Sequence, residues 1–237
     1  MKLLSVNTGR FKAVEYTDAP SGGTGIDKRP VEGAVRVVAP GPKGVAGSGV
    51  AGDDVCDLRH HGGDDQAVYA YAREDLDEWE RLLGHPLAGG SFGENLTTSG
   101  IDVSGAKIGE RWRVGPDLLL EVTSGRIPCR TFQGHLGETG WVRRFTRHGA
   151  PGAYLRVIEP GEIRGGDTIE IVHRPEHDVT VSLQFRAVTT ERNLLPDLLA
   201  AGEALHSESI ETARKHVAKY GGGPGGRPGD TAVSGSH

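Results

Sequence analysis

The chain has 237 residues, with 27 basic and 32 acidic side chains and two cysteines. This length suits one large domain with or without a small appendage, and the near balance of charge argues against binding of nucleic acid through overall electrostatics. No apolar run approaches the roughly 20 residues that cross a bilayer, and the start MKLLSVNTGRF lacks the long apolar stretch and cleavage site of a signal peptide. We therefore expect a soluble, cytoplasmic protein that binds neither nucleic acid nor a membrane.

Several common cofactor sites are absent from the sequence. Two cysteines are too few for a disulfide scaffold or for an iron–sulfur cluster, which usually needs four thiolates. Cys56 lies near His60 and His61, but no fourth zinc ligand stands at the usual spacing, so we interpret Cys56 as structural. The glycine-rich stretches contain neither a dinucleotide-binding fingerprint after a strand nor a P-loop.

Short apolar runs rich in valine and isoleucine dominate the first three quarters of the chain. Length and β-branched composition favour strands for these runs. Loops rather than long helices join most of them, which favours antiparallel or mixed sheets closing into a barrel over a doubly wound parallel sheet. The sequence thus predicts a mainly β, α+β fold with strands near 3–6, 31–38, 118–122, 153–158 and 168–172.

Two segments within the predicted barrel have helical spacing instead. In 73–83, four apolar residues share one face, namely Leu76, Trp79, Leu82 and Leu83, and Gly84 and Pro86 end the run. The segment 138–148 carries a narrower apolar stripe and stops at a glycine. We predict a helix over each.

The last part of the chain differs from the barrel. We predict a small helical appendage over 178–220, in which Ser207 caps the last helix. Residues 179–185 alternate like a strand, so their conformation stays open. Residues 221–237 are so rich in glycine and proline that we expect them to be disordered.

Cys129 is the residue that best suits chemistry. It lies in SGRIPCRTF directly after the predicted strand LLLEVT, with Arg126 and Arg130 on either side. Nearby guanidinium charge favours the thiolate, which is the form that ligates metals or attacks electrophiles. A buried, unreactive cysteine in a strand-end turn is the alternative.

Three further segments carry polar groups that are weak signals when taken singly. A His-Gly-Gly turn at 61–63 exposes backbone N–H groups to an anion. Asn95, in the turn 91–101, offers a donor and an acceptor that can bind a heterocycle. Basic side chains recur along 143–148, a pattern usually typical of a solvated helix face.

In chain order these segments resemble the MOSC family, in its YiiM-type branch. Each motif is weak alone, but the ordered set is specific. The set comprises T-G-I-x-K at 24–28, G-D at 52–53, H-G-G-x-D-x-A-V-Y-A-Y at 61–71, F-G-E-N-L-T at 92–97, R-x-P-C at 126–129, P-G-A-Y-L-R-V at 151–157 and G-x-I-x-x-G-D at 161–167.

The resemblance implies a MOSC β-barrel over residues 1–175 and a three-helix extension over 178–220. It also implies a molybdenum-cofactor-binding reductase of N-hydroxylated compounds such as hydroxylaminopurine, in which Cys129 is the catalytic residue and the protein ligand to molybdenum. By the same resemblance, the residues that bind cofactor or substrate are Lys28, His61, Phe92, Asn95 and Arg126.

The partners follow from what the sequence lacks. Because the chain has no flavin, nicotinamide or cluster motif, its electrons must come from a separate electron-donor protein, with the basic face of 143–148 as one docking surface. The apolar faces of the appended helices need a partner within the chain or in a homodimer.

Two departures from the family pattern and two other functions stay open. Gln66 replaces a lysine that many relatives carry, and Gly125 replaces a proline before the R-x-P-C motif. Both departures bear on cofactor affinity more than on fold. Cys129 could instead carry a persulfide in sulfur transfer, or the protein could carry the cofactor without catalysis.

Overall fold

The computed structural model describes residues 1–221, and its largest element is an eight-stranded sheet. Alternating or continuous burial of valine, leucine and isoleucine accounts for the main strands. The strands are β1 (Lys2–Thr8), β2 (Lys12–Ala13), β3 (Gly23–Thr24), β4 (Arg29–Pro30), β5 (Val35–Val37), β6 (Val68–Ala72), β7 (Leu96–Ser99), β8 (Arg111–Val114), β9 (Leu118–Gly125), β10 (Ala153–Glu159), β11 (Gly161–Ile163) and β12 (Ile169–His173).

The sheet is mixed and closes on itself. Its order is β12-β8-β9-β10-β6-β7-β1-β4, with β6 and β7 parallel and the other neighbours antiparallel. An antiparallel bridge between Lys2 and Thr168 joins β1 to the start of β12, and the Leu3 amide donates to the Asp167 carbonyl over 2.9 Å. The predicted barrel-based α+β fold is therefore confirmed.

Helices occupy the connections and the C-terminal part of the described chain. They are α1 (Arg73–Leu83), α2 (Arg130–Leu136), α3 (Trp141–His148), α4 (Val181–Thr189) and α5 (Ser207–Tyr220), with 3-10 turns at Asp64–Gln66 and Arg192–Ala204. None of these helices is long and apolar enough to cross a membrane.

The predicted elements match in part. Helix α1 has the predicted bounds, and α3 begins three residues later than expected. The ambiguous segment 179–185 is mostly helix, because α4 begins at Val181 after its cap, Thr180. Ser207 is the first helical residue of α5 rather than its cap; the His206 side chain accepts from the Glu208 amide instead.

One predicted strand is shorter than expected, one helix was not predicted, and one predicted segment lies mostly outside the described residues. The predicted strand 31–38 is reduced to 35–37, because the chain takes a positive φ of 82° at Gly33. Helix α2, directly after Cys129, was not predicted. Residues 222–237, which include most of the segment expected to be disordered, lie outside the described chain.

The core consists of two clusters of buried side chains. The larger lies inside the closed sheet and continues into the C-terminal segments through Val181, Leu195 and Leu198. The smaller is largely aromatic and lies between α1, α2 and α3. The apolar faces of the C-terminal helices are thus covered by the chain itself.

Candidate functional site

A cavity of about 540 Å³ opens beside the end of β9. Its walls come from three loops, at 17–28, 53–62 and 125–131, together with side chains from the sheet. This volume lies within the range typical of small-molecule and cofactor sites. Five of the six predicted site residues line it: Lys28, His61, Asn95, Arg126 and Cys129.

Cys129 lies at the junction between the sheet and α2. The chain leaves β9 at Gly125, remains extended at Cys129, and then turns into the helix, with the Cys129 carbonyl accepting from the Gln133 amide over 3.1 Å. The side chain is half-buried and free of any disulfide. Its thiol is therefore held at the cavity wall, available to a metal or an electrophile.

Arg126 brings a buried positive charge to the same wall. Its Nη1 donates to the Phe92 carbonyl, and its guanidinium lies 4.1 Å from the ring centre of Phe132 and 5.2 Å from that of Tyr69. Its Nε has no hydrogen-bond partner, and within residues 1–221 it forms no ion pair with a carboxylate. Because a buried charge is stable only when it is compensated, this arrangement favours an anionic ligand.

Lys28 is already neutralised inside the protein. Its ammonium group pairs with the carboxylate of Asp53, and both side chains are buried. Burial lowers the pKa of Lys28, and Asp53 opposes that effect. Asp53 also accepts from the Gly9 amide and from Asn95 Nδ2, each over 2.9 Å. Lys28 therefore contributes less free charge to the cavity than its residue type predicts.

Asn95 uses its amide to hold the cavity wall. Beyond its bond to Asp53, Nδ2 donates to the Asn7 carbonyl over 3.3 Å, and Oδ1 accepts from the Tyr69 amide over 3.1 Å. These contacts tie β1, β6 and the 92–97 turn together. Because both amide protons are engaged, a role in recognising a heterocycle would require them to exchange partners.

His61 presents a neutral ring to the cavity. Burial, followed by the positive charge of Arg126, lowers the pKa of His61 from 6.5 to about 4. The neighbouring Gly62 and Gly63 both have positive φ, and a side chain at either would collide with the backbone of the 43–47 loop. The His-Gly-Gly motif thus allows two loops to pack closely beside the imidazole.

Phe92 does not reach the cavity. It is fully buried, with its ring 5.2 Å from that of Phe132 and 5.4 Å from that of Trp141. The prediction that it contacts cofactor or substrate is therefore corrected: its side chain is core, and only its carbonyl reaches towards the site, through Arg126. The aromatic side chains contributed by α1 and α3 account for this burial.

Three cavity residues were not predicted as site residues. Tyr69 and Tyr154 enter from adjacent strands, and Cys56 lines the wall from the 53–62 loop. Both tyrosines belong to motifs that carried the family resemblance, at 61–71 and 151–157. The sequence therefore contained a signal that could have marked them as site residues. The pattern alone does not say which face of β6 or β10 meets the cavity.

The two departures from the family pattern occupy different positions. Gln66 lines the cavity, and its buried Oε1 has no hydrogen-bond partner among residues 1–221. Gly125 donates its amide to Gln184 Oε1 over 2.9 Å, and a Cβ there would lie 2.8 Å from Cγ of Pro151. Glycine at 125 thus allows α4 to pack tightly against the end of β9.

The basic face of 143–148 lies away from the residues that form the cavity wall. Arg144 donates to the Leu82 carbonyl over 2.8 Å and places its guanidinium 5.7 Å from the Trp79 ring centre, while the His148 ring lies 4.4 Å from the same tryptophan. Only Arg143 and Arg147 are exposed on this helix face. The basic surface is smaller than its sequence indicates.

Comparison with known proteins identifies the family. The MOSC domain model matches residues 57–170. YflK of Bacillus subtilis, an uncharacterized protein, is 33% identical over 184 residues, which cover 78% of this chain and 79% of YflK. The chain belongs to the MOSC domain family. A protein of Gibberella moniliformis named Reductase is 33% identical over 164 residues, covering 68% of this chain and 29% of that protein.

A solved YiiM structure is similar to this MOSC protein in fold and sequence. The crystal structure of YiiM from Geobacillus stearothermophilus superposes with a TM-score of 0.72 at 25% identity, covering 91% of this chain and 98% of that one. The superposed length includes most of the C-terminal helical segments as well as the barrel. The predicted kinship with YiiM-type proteins is confirmed.

Proposed function

We propose that this MOSC protein binds the molybdenum cofactor through Cys129 and reduces N-hydroxylated compounds of the hydroxylaminopurine class. The observation that carries the proposal is that one cavity is lined by a thiol and by a buried arginine that pairs with no carboxylate in the described part of the chain. The relative named Reductase supports a redox role for the site.

The donor set fits a cofactor that brings most of its own metal ligands. Within residues 1–221, no group of three or more histidine, cysteine or acidic side chains could hold a metal ion. One cysteine cannot fix a metal alone, but a soft thiolate complements the dithiolene of a pterin. When bound, the cofactor would supply a two-electron centre that takes up an oxygen atom.

The protein's own residues would hold the ligands and set the electrostatics. Cys129 would provide the thiolate, and Arg126 would bind negative charge on the cofactor and so gain the counter-charge that it lacks. His61, neutral at physiological pH because its pKa is lowered, would offer a hydrogen bond without adding charge. Lys28 and Asn95 would support the wall through Asp53.

The two cysteines of the cavity provide a matched test. Cys129→Ser should lose molybdenum, or its coordination, when the protein is purified anaerobically from a host that makes the cofactor. Cys56→Ser changes the same atom on the opposite loop and should retain stoichiometric metal and pterin. Metal and pterin are measured by elemental analysis and by fluorescence of the oxidised pterin. Equal retention by both variants would contradict the ligand role of Cys129.

The two alternative functions predict different results in the same samples. A sulfur carrier should show Cys129 with one added sulfur by mass spectrometry and no bound cofactor. A cofactor carrier should retain molybdenum and pterin but reduce no N-hydroxylated compound in the presence of a chemical reductant. Turnover that depends on bound cofactor distinguishes the proposed reductase from both.

The proposed reaction needs electrons from outside the chain. A separate electron-donor protein is the partner that we propose, with Arg143 and Arg147 as the exposed charges of its docking surface. A cytoplasmic location would keep the Cys129 thiol reduced and available to the metal.

A further inference from the structure

The neighbouring strands β6 and β10 carry three tyrosines whose hydroxyl groups have different partners. The Tyr69 hydroxyl donates to the Pro151 carbonyl over 2.8 Å, and the Tyr71 hydroxyl donates to the Ala150 carbonyl over 2.9 Å. Within residues 1–221, the Tyr154 hydroxyl has no hydrogen-bond partner, and its side chain lines the cavity. Tyr154 is partly buried, so this hydroxyl is open to a ligand in the cavity.

The fold fixes the Tyr154 side chain firmly. Tyr154 pairs with Tyr69 on one side and with Ser124 on the other, and its ring centre lies 5.0 Å from that of Tyr69. The register between β10 and β9 shifts directly after Tyr154, a β-bulge of the kind that re-aims side chains beside active sites. The Tyr154 carbonyl also accepts from the Thr123 hydroxyl over 3.1 Å.

The electrostatic surroundings suit a proton donor. Burial raises the pKa of Tyr154, and the nearby Arg126 charge opposes this effect without reversing it. The hydroxyl therefore stays protonated at neutral pH. Cys129 lines the same cavity, so the Tyr154 side chain and the proposed cofactor ligand would face one bound substrate.

We propose that Tyr154 is a catalytic residue whose hydroxyl donates a hydrogen bond, and then a proton, to the oxygen of the substrate's N–OH group. This inference rests on the proposed function. Reduction of R–NHOH breaks the N–O bond, consumes two electrons and two protons, and yields R–NH₂ and one water. The external donor protein supplies the electrons. Tyr154 supplies one proton to the departing oxygen and regains it from solvent water, and the second proton passes from solvent water to the nitrogen.

Tyr154→Phe removes the hydroxyl and keeps the ring that packs on Tyr69. The probes are 6-hydroxylaminopurine and adenine, which differ by the oxygen that Tyr154 would contact. With oxidised, cofactor-loaded protein and no electron donor, we expect Tyr154→Phe to weaken binding of 6-hydroxylaminopurine by about tenfold and to leave adenine binding unchanged. With a chemical reductant, we expect kcat to fall by about a hundredfold.

Tyr71→Phe is the matched control, since it removes a buried hydroxyl that bonds the Ala150 carbonyl and does not line the cavity. It should leave both dissociation constants unchanged. Molybdenum content and the thermal midpoint are measured on each variant, so that misfolding or cofactor loss is recognised separately.

The outcomes separate the two proposals. If wild-type protein reduces 6-hydroxylaminopurine and Tyr154→Phe does so equally well, or weakens binding of both ligands to the same extent, the role of Tyr154 is overturned and the reductase function stands. If cofactor-loaded wild-type protein neither binds nor reduces the N-hydroxylated probe, the proposed function is overturned, and the role of Tyr154 with it.

Discussion

At the residue scale, the sequence predicted most of the chemical groups that line the cavity. The burial and the ion pairs of each group depend on its surroundings in the structure. Cys129 stood out because two arginines flank it in the chain. The structure separates those arginines: Arg126 is buried beside the cavity, whereas Arg130 is exposed and pairs with Asp18 over 2.6 Å. Solvent screens the second charge strongly and the first much less. The arginine three residues before Cys129 therefore dominates the electrostatics of the site.

The lowered pKa of His61 predicts a specific dependence of stability on pH. In the folded protein His61 takes up its proton near pH 4, whereas in the unfolded chain it does so near pH 6.5. Between these values the unfolded state binds more protons, so the free energy of unfolding should fall as the pH is lowered, by on the order of 1 kcal/mol per pH unit. Above pH 6.5 His61 is neutral in both states and contributes no such dependence.

His61→Gln should remove this part of the acid sensitivity. We expect wild type to lose more unfolding free energy than the variant when the pH is lowered from 7.5 to 5. Urea denaturation at both pH values measures this difference. His85→Gln changes an exposed histidine and serves as the control, for which that difference should stay constant. A constant difference for His61→Gln as well would show that its ring is solvated.

At the element scale, the loop from β9 to α2 contributes Arg126 and Cys129 to the cavity, and α4 holds the start of this loop in place. The Gln184 side chain of α4 accepts from the Gly125 amide and donates to the Ser209 hydroxyl over 3.0 Å, so one buried amide joins the strand, α4 and α5. A buried polar network of this kind is costly to break because its members lose their partners together. This support explains why glycine is suited to position 125 in this chain.

Proline at position 125 should therefore destabilise this protein. Gly125→Pro removes the N–H that bonds Gln184 and adds atoms against Pro151. We expect the free energy of unfolding to fall by about 3 kcal/mol, measured by chemical denaturation. Gly125→Ala keeps the N–H and isolates the steric part, so it should cost less. Gly125→Pro with wild-type stability would contradict the support that we assign to Gln184.

Helices with a local apolar stripe could be predicted from the sequence, whereas helices that depend on tertiary contacts could not. The apolar stripe of Leu76, Trp79, Leu82 and Leu83 predicted α1 with its bounds, because the stripe is local. Of these four, Leu82 is exposed rather than packed on the core. Helix α2 was missed because its seven residues are too few to show a periodic pattern, and a tertiary contact helps to hold it: Gly134 packs directly on the Tyr16 ring. Residues 179–185 alternate like a strand but form most of α4, since burial on several sides overrides a period of two.

At the scale of the whole molecule, the barrel and the C-terminal helices share one core. Val181, Leu195 and Leu198 are fully buried within the same cluster as the strands of the closed sheet. The Val181 amide donates to the Ala106 carbonyl over 2.9 Å. The helices also reach the cavity, where Glu208 lines the wall and pairs with Lys43 over 2.5 Å. The C-terminal segments thus share the core of the barrel and contribute to the cavity wall.

Deletion of residues 178–237 should therefore destabilise the barrel. Loss of the helices would expose the apolar side chains beneath α4, and exposed patches of this kind promote aggregation. We expect low soluble yield, or a lowered thermal midpoint with binding of a hydrophobic dye. Deletion of 222–237 alone keeps all these contacts and should match the full chain. A truncated barrel as stable as the full chain would refute the shared-core interpretation.

The sequence by itself determined the family and the β-rich barrel class, because ordered motifs and local periodicity are properties of the chain. It also marked five residues that line the cavity. Only the tertiary structure decided that Phe92 belongs to the core and that Asp53 neutralises Lys28. It also decided that, among residues 1–221, Arg126 has no carboxylate partner and the Tyr154 hydroxyl has no hydrogen-bond partner. Burial and pairing depend on side chains brought together from distant parts of the chain, and no local pattern encodes which of them meet.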